Sequence, residues 1–193
     1  MKLPKPRTKG EVSLEETLEK RRSKRSFTPK ELGWEQISQL LWAGQGVAGK
    51  TYYGFRTAPS AGALYPLEIY LVIKEGVYNY KPETHELERT IESDLRGQLS
   101  RAALGEEAIE EAPVDIVIAA VYRRMEWRYR ERAVRYVHIE VGHIAQNIHL
   151  QAVALGLGSV PIGAFRDEQV QRVLSLPKDQ QPLYIIPVGY PIE

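Results

Sequence analysis

The stretch Gly44-Gln-Gly-Val-Ala-Gly-Lys-Thr51, GQGVAGKT, satisfies two phosphate-binding patterns at once, the G-x-x-x-x-G-K-[ST] loop and the G-x-G-x-x-G dinucleotide turn. Both work by letting backbone N–H groups approach an anion while the next helix aims its positive N-terminus at it, and both belong to strand-to-helix folds. The flanks decide against them. Ahead of the match, Trp34, Ile37, Leu40 and Leu41 recur at helical spacing, so a helix rather than a strand enters the loop and Gly44 reads as its C-terminal glycine. Behind it, Gly54 and Pro59 break the helix that a phosphate cradle needs. The strand predicted over 114–121 also ends without the Asp that holds Mg²⁺ in such enzymes.

With the nucleotide folds set aside, the rest of the chain predicts an α+β domain. Ser13-Leu-Glu-Glu16 is a capping box that opens a first helix, which finishes near the basic run at 21–25. Residues 67–73 read as a strand, Glu75-Gly76 as a turn and residues 77–80 as the hairpin partner. Two short helices over 93–104 and 106–111 precede the strand at 114–121. A long helix follows, with Val134, Val137, Val141, Ile144, Ile148 and Leu155 in rhythm and further apolar residues on its other sides, the pattern of a buried helix. It stops at Gly156-Leu-Gly158; a strand is predicted over 160–165, Asp167 as the cap of a short helix, and a last strand over 183–189. Strands and helices do not alternate regularly, which favours a mainly antiparallel sheet flanked by helices over a doubly wound one.

The 193 residues, 43% hydrophobic and 26% charged, suit a single domain over 13–193 preceded by a flexible segment over 1–12. Lys and Arg number 26 against 25 Asp and Glu, so no general basic field exists for nucleic acid. The longest apolar stretch, 152–165, is broken by Gly156, Gly158, Ser159, Pro161 and Gly163, which speaks against a membrane span, and the first ten residues contain no apolar signal region; the cytoplasm is the expected compartment. Cysteine is absent, so redox chemistry here has to come from a cofactor. His138, His143 and His149 are spaced by five and six, not the four of a helical ligand pair, and no metal site is expected.

Three segments carry the candidate chemistry. Arg21-Arg-Ser-Lys-Arg25 places four cations and a hydroxyl where a helix ends, a solvated face in the plain reading and a phosphate grip in the functional one. Ala58-Pro-Ser-Ala-Gly-Ala-Leu-Tyr-Pro66 describes a tight backbone of small residues suited to a flat ligand. In Gly156-Leu-Gly-Ser-Val-Pro-Ile-Gly-Ala164, Gly163 allows close backbone approach.

Taken in order with Gly142-His143, Gln146-Asn147 and Pro187-Val-Gly-Tyr-Pro191, these segments resemble the FMN-dependent nitroreductase superfamily, and most closely its SagB-type dehydrogenase branch, which includes azoline oxidases. The resemblance implies a homodimer with the long helix at its core, FMN as cofactor, NADH or NADPH as electron donor and a small-molecule substrate. It implies that Arg21, Arg22, Ser23 and Arg25 hold the phosphate, ribityl chain and pyrimidine edge of FMN. Pro59, Ser60, Ala61, Gly62 and Ala63 match the loop that the second subunit contributes, and Pro161, Ile162 and Gly163 match the segment lying along the isoalloxazine. A fixed cation near the flavin's N1 and O2 would stabilise its anionic reduced form.

Departures from the family pattern bear on the reaction. No basic stretch follows Gly189-Tyr-Pro-Ile-Glu193, so the phosphate grip is expected to rest on 21–25. The Lys-Tyr pair of azoline oxidases reads Arg128-Tyr129, within a segment, 123–132, expected to form a mobile cover over the flavin; Tyr129 retains acid or base capacity, whereas Arg128 does not deprotonate usefully. The resulting expectation is an FMN-dependent oxidoreductase passing two electrons to an organic acceptor. A dehydrogenase acting on a peptide-like or azoline substrate, and a flavin-binding module without turnover, are the alternatives.

Overall fold

The computed structural model describes residues 1–49 and 54–192; Lys50 and Thr51 of the GQGVAGKT stretch lie outside them. Six strands form one antiparallel sheet: β1 (Leu67–Ile73), β2 (Gly76–Lys81), β3 (Glu86–Ile91), β4 (Val114–Ala120), β5 (Gly158–Ser159) and β6 (Gln181–Gly189), in the order β3-β2-β1-β4-β6-β5. Alternation of side chains across the pleat divides the core in two. Leu67, Ile69, Leu71, Ile116 and Ile118 face helices α2 (Trp34–Gln45) and α6 (Arg132–Ala154), while Tyr70, Val72, Val117 and Ala119 face α3 (Arg96–Ala102), α4 (Glu107–Glu111) and α7 (Asp167–Val173). The sheet is thus the middle of three layers.

Helix α1 (Leu14–Lys20) begins as its capping box predicts, with the Ser13 hydroxyl accepting the Glu16 amide at 3.1 Å. Helix α2 runs one residue past Gly44, and Gly46 caps it. Gly44 is a contact residue instead: a Cβ there would meet Ile148 of α6 at 3.2 Å, so its absence lets the two helices close together. Asp167 is the first residue of α7 rather than its cap, where its charge still favours the helix N-terminus. Of the strand predicted over 160–165 a single bridge between Ile162 and Ile185 is formed, and the paired strand β5 lies just ahead of it. Residues 1–7 also depart from the flexible arm predicted over 1–12. Leu3 is buried and its amide donates to His85 O at 3.1 Å, the Met1 amine donates to Leu87 O, and Ser38 Oγ donates to Pro4 O.

Helix α6 is buried on one side only within the chain. Ala133, Val137, Glu140, Ile144, Ile148 and Ala152 face the core, whereas Ile139 is 48% exposed and His143 and Gln146 share its open side. No helix among the described residues is long and apolar enough to cross a membrane.

Candidate active site

The edge of the sheet at β5 gathers two of the three predicted segments. β5 pairs with β6 through Gly158 with Gly189 and Ser159 with Val188, and Ile162 exchanges two backbone hydrogen bonds with Ile185 at 2.8 and 3.0 Å. Pro161, Ile162 and Gly163 therefore run along the free side of β6, with Gly163 exposed above the Tyr184 ring. The chain leaving α1 adds itself outside β5: Ser23 bridges Ser159 in parallel and the Lys24 amide donates to Ser159 O at 3.1 Å. This fixes the backbone of 21–25 directly beside the glycine-rich segment.

The side chains of that run divide into two groups. Arg22 folds back on α1, donating through Nη1 to Glu19 O at 2.8 Å and to Arg21 O at 2.7 Å, so its guanidinium serves the carbonyl end of the helix. Arg21 is half-buried near His149, and the nearby charge adds to the burial that pushes the imidazole down to about 4. Ser23, Lys24 and Arg25 are exposed, and neither Lys24 nor Arg25 forms an ion pair with a described residue. Two unneutralised cations on a fixed backbone suit an anionic group such as a phosphate.

The loop with Pro59, Ser60, Ala61, Gly62 and Ala63 stands apart from this edge. It forms a 3₁₀ turn at Ala61–Ala63, with Gly62, Ala63 and Tyr65 at φ of 64°, 53° and 45°. Non-glycine residues in the left-handed region cost about 1–2 kcal/mol each, so the surroundings must hold them there. Ser60 does part of this: its carbonyl accepts the Ala63 amide at 3.0 Å and its hydroxyl accepts the Tyr65 amide at 2.9 Å. Arg124 Nη1 donates to Tyr65 O at 3.0 Å and the Arg56 amide to the Tyr65 hydroxyl at 3.1 Å. The loop lies over the middle of α6, near Glu140, whereas Arg21 lies near His149. Nine residues separate those two positions, roughly 13 Å of helix. One chain therefore does not bring the loop to the β5 edge.

Helix α5 (Arg123–Tyr129) covers the loop. It is anchored rather than a mobile cover: Met125 is fully buried and Arg124 reaches Tyr65 O and, at 2.5 Å, the Glu68 carboxylate. A Cβ on Gly62 would lie 2.9 Å from the Tyr129 hydroxyl and 3.1 Å from Arg128, which puts both residues directly on the loop. The Tyr129 ring also meets Tyr136 edge to face at 4.9 Å. Among the described residues, no group of three or more His, Asp or Glu is placed to hold a metal ion.

Three buried polar groups escape sequence reasoning. His149 shares a 2.8 Å hydrogen bond with Ser159 Oγ; Glu140 and Asp115 are 2% and 0% exposed, and their carboxylate oxygens have no hydrogen-bond partner among the described residues. Burial raises the pKa of both acids, Glu140 to about 7. Only the occurrence of a Glu on the apolar rhythm of α6 hinted at any of this.

Comparison with known proteins gives a consistent result. A sequence model of the nitroreductase family matches residues 18–190. A putative nitroreductase of Methanocaldococcus jannaschii is 43% identical over 189 residues, covering 95% of this chain and 93% of that protein. The crystal structure of a putative nitroreductase from Ralstonia eutropha superposes with a TM-score of 0.90 at 32% identity, covering 100% of this chain and 90% of that one. The microcin B17-processing protein McbC of Escherichia coli is 26% identical over 132 residues, 63% of this chain and 48% of McbC.

Proposed function

Because the chain belongs to the nitroreductase family, we propose that it is an FMN-dependent oxidoreductase that accepts two electrons from NADH or NADPH and passes them to a small organic molecule. The observation that carries this reading is the pair of unneutralised cations, Lys24 and Arg25, held on fixed backbone beside Pro161, Ile162 and Gly163. FMN, when bound, supplies the two-electron chemistry. The chain's residues bind and tune: Arg21, Ser23 and Arg25, assisted by Lys24, hold the phosphate and ribityl chain, and Pro161, Ile162 and Gly163 provide a flat backbone platform. Arg22 acts one step back, by fixing the end of α1.

The separation of the 59–63 loop from the β5 edge supports a site completed by a second copy. In this reading Pro59, Ser60, Ala61, Gly62 and Ala63 of the partner close over the platform of the first chain. The open side of α6, with Ile139 half exposed, and the half-exposed Val134 near its start offer apolar surface for such a homodimer.

The contact of Tyr129 with Gly62, together with the similarity to McbC, favours a second reading in which the chain dehydrogenates a peptide-like substrate and Tyr129 moves a proton. One experiment tests the first reading. The purified protein should show a flavin absorption band that bleaches on anaerobic addition of NADH or NADPH and returns with a nitroaromatic or quinone acceptor. A protein that neither contains nor takes up FMN would overturn it; a flavin that nicotinamides leave oxidised but an azoline peptide reduces would select the second.

A further inference from the structure

Strand β5 consists of Gly158 and Ser159 alone, with Gly156 before it and Gly163 after, and chain so rich in glycine is costly to hold in one shape. Yet this strand carries the basic run. On its outer edge Ser23 bridges Ser159 and the Lys24 amide donates to Ser159 O at 3.1 Å. On one face Lys24 lies so close that a Cβ on Gly158 would stand 2.7 Å from the Lys24 Cβ. The Ser159 side chain, which alternation turns to the opposite face, meets α6: its hydroxyl lies 2.8 Å from His149 Nδ1, and both residues are 5% exposed. The other ring nitrogen, Nε2, is buried and has no hydrogen-bond partner among the described residues. The imidazole thus keeps an unpaired polar atom in the core, a cost that an apolar side chain on the same stripe would not carry, and the contact with Ser159 is what it gains there.

We infer that His149 is a positioning residue for the phosphate grip. By holding the Ser159 hydroxyl it fixes β5 against α6, and through the Ser159 carbonyl and the Ser23 bridge it sets where the backbone of residues 23–25 stands, and with it Lys24 and Arg25. One proton is shared between ring and hydroxyl, and either direction of donation holds the strand. The geometry favours such a strut because a two-residue strand is braced on a 23-residue helix. Between them the chain turns at Leu155–Leu157, where the Leu157 amide donates to Ala152 O at 2.8 Å, and the His149 contact closes this turn from the side-chain direction. That the grip receives the phosphate of FMN rests on the function proposed above; the chain of hydrogen bonds from α6 to Lys24 does not.

Two readouts on the full-length protein as purified test this. One is hydrogen exchange at the Lys24 amide; the other is the ratio of bound FMN to bound riboflavin after equilibration with both, riboflavin being the same flavin without the phosphate. His149→Phe and Ser159→Ala should each speed Lys24 exchange about fivefold and lower the preference for FMN by about the same factor, as expected for loss of a local restraint. The double variant should go no further than the larger single change, because the two residues act through one contact. His149→Asn, whose side-chain amide reaches the place of Nδ1, should stay within about twofold of wild type. A residue that merely stabilises the fold would weaken both flavins alike and leave the ratio unmoved. Should His149→Phe not fold, Ser159→Ala, which removes a single oxygen, carries the test. Unchanged Lys24 exchange or an unchanged flavin ratio in the folded variants, or a wild type indifferent to the phosphate, would overturn the proposal. A wild type that takes up neither flavin would sink the function proposed above, and Lys24 exchange would then decide the strut by itself.

Discussion

Imidazole Nδ1 of His149 on α6 meets the Ser159 hydroxyl on β5 at 2.8 Å, with both residues 5% exposed, and so ties the long helix to the strand that flanks the basic run. Burial, helped by Arg21, pushes His149 down to about 4, so this link is made by a neutral ring. Glu140, on the same helix, is displaced the other way, to about 7. The histidine binds fewer protons folded than unfolded between about 4 and 6.5, and stability gains with rising pH there. The glutamate binds more protons folded than unfolded between 4.5 and about 7, and stability falls with rising pH there. The two slopes oppose each other. Urea unfolding across this range should show His149→Asn gaining on wild type as pH falls from 6.5 to 4, and Glu140→Gln gaining on wild type as pH rises from 4.5 to 7. Each change should be on the order of 3 kcal/mol at its full extent. Asp115, whose burial also raises its pKa, contributes equally to all three proteins and cancels in these differences.

The split within 21–25 makes a second prediction. Lys24→Ala and Arg25→Ala should each weaken FMN retention about tenfold, and more steeply as salt rises, because they remove exposed cations from an anion site. Arg22→Ala should leave FMN content nearly intact and instead lower stability by about 0.5–1 kcal/mol, since its guanidinium serves the α1 carbonyls. Flavin content after gel filtration at two salt concentrations, with melting curves, separates the two outcomes. Arg22→Ala losing as much flavin as Arg25→Ala would show that the guanidinium turns outward to the phosphate.

The same residues explain what was legible in the sequence. The β1–β2 hairpin, β4, β6 and the Ser13 cap were readable because each rests on a local signal: a short apolar run, a Glu-Gly turn, a side chain three residues from its partner. Strand β3 was missed because it is an edge strand in which only Leu87 is buried, so its sequence has no apolar period. The strand predicted over 160–165 failed as a ladder because Pro187, which stands opposite Val160 on β6 and accepts its amide at 3.3 Å, has no N–H to donate back. Gly44 was misread as a terminator because a glycine required by a neighbouring helix looks the same as one that ends its own. His149 could not be found, and Glu140 left only its place on an apolar rhythm as a hint, since which way α6 faces is decided by packing against elements distant in the chain.

Gly62 and Tyr129 give a third prediction. Gly62 stands at φ 64° with the Tyr129 hydroxyl 2.9 Å from where a Cβ would lie. Gly62→Ala should cost about 1–2 kcal/mol through backbone strain alone, plus the displacement of the tyrosine. Tyr129→Phe removes the crowding oxygen, so the double variant should recover the second part but not the first. Melting temperatures of the four proteins form the cycle. Strict additivity would mean that the tyrosine moves aside without cost.

The last prediction tests the composite site. If each flavin rests on Arg25 of one chain and on the 59–63 loop of its partner, the two requirements can be broken on separate chains. Arg25→Ala should strip most of the flavin from its homodimer at high salt by removing the cation, and Ser60→Trp should empty its own by filling the space above the platform. In a mixed dimer one site carries both lesions, while the other combines Arg25 of the Ser60→Trp chain with Ser60 of the Arg25→Ala chain, both intact. Random pairing makes half the dimers mixed and half of their sites whole, so roughly a quarter of wild-type flavin content and NAD(P)H oxidation should return, as two-fold symmetry requires. The measurement is made after refolding the two variants together, each refolded alone serving as control, with mass spectrometry to count mixed dimers. Mixed dimers without recovered activity would mean that the site is built within one chain, by a movement of the 59–63 loop over the roughly 13 Å of α6 that now separate it from the β5 edge.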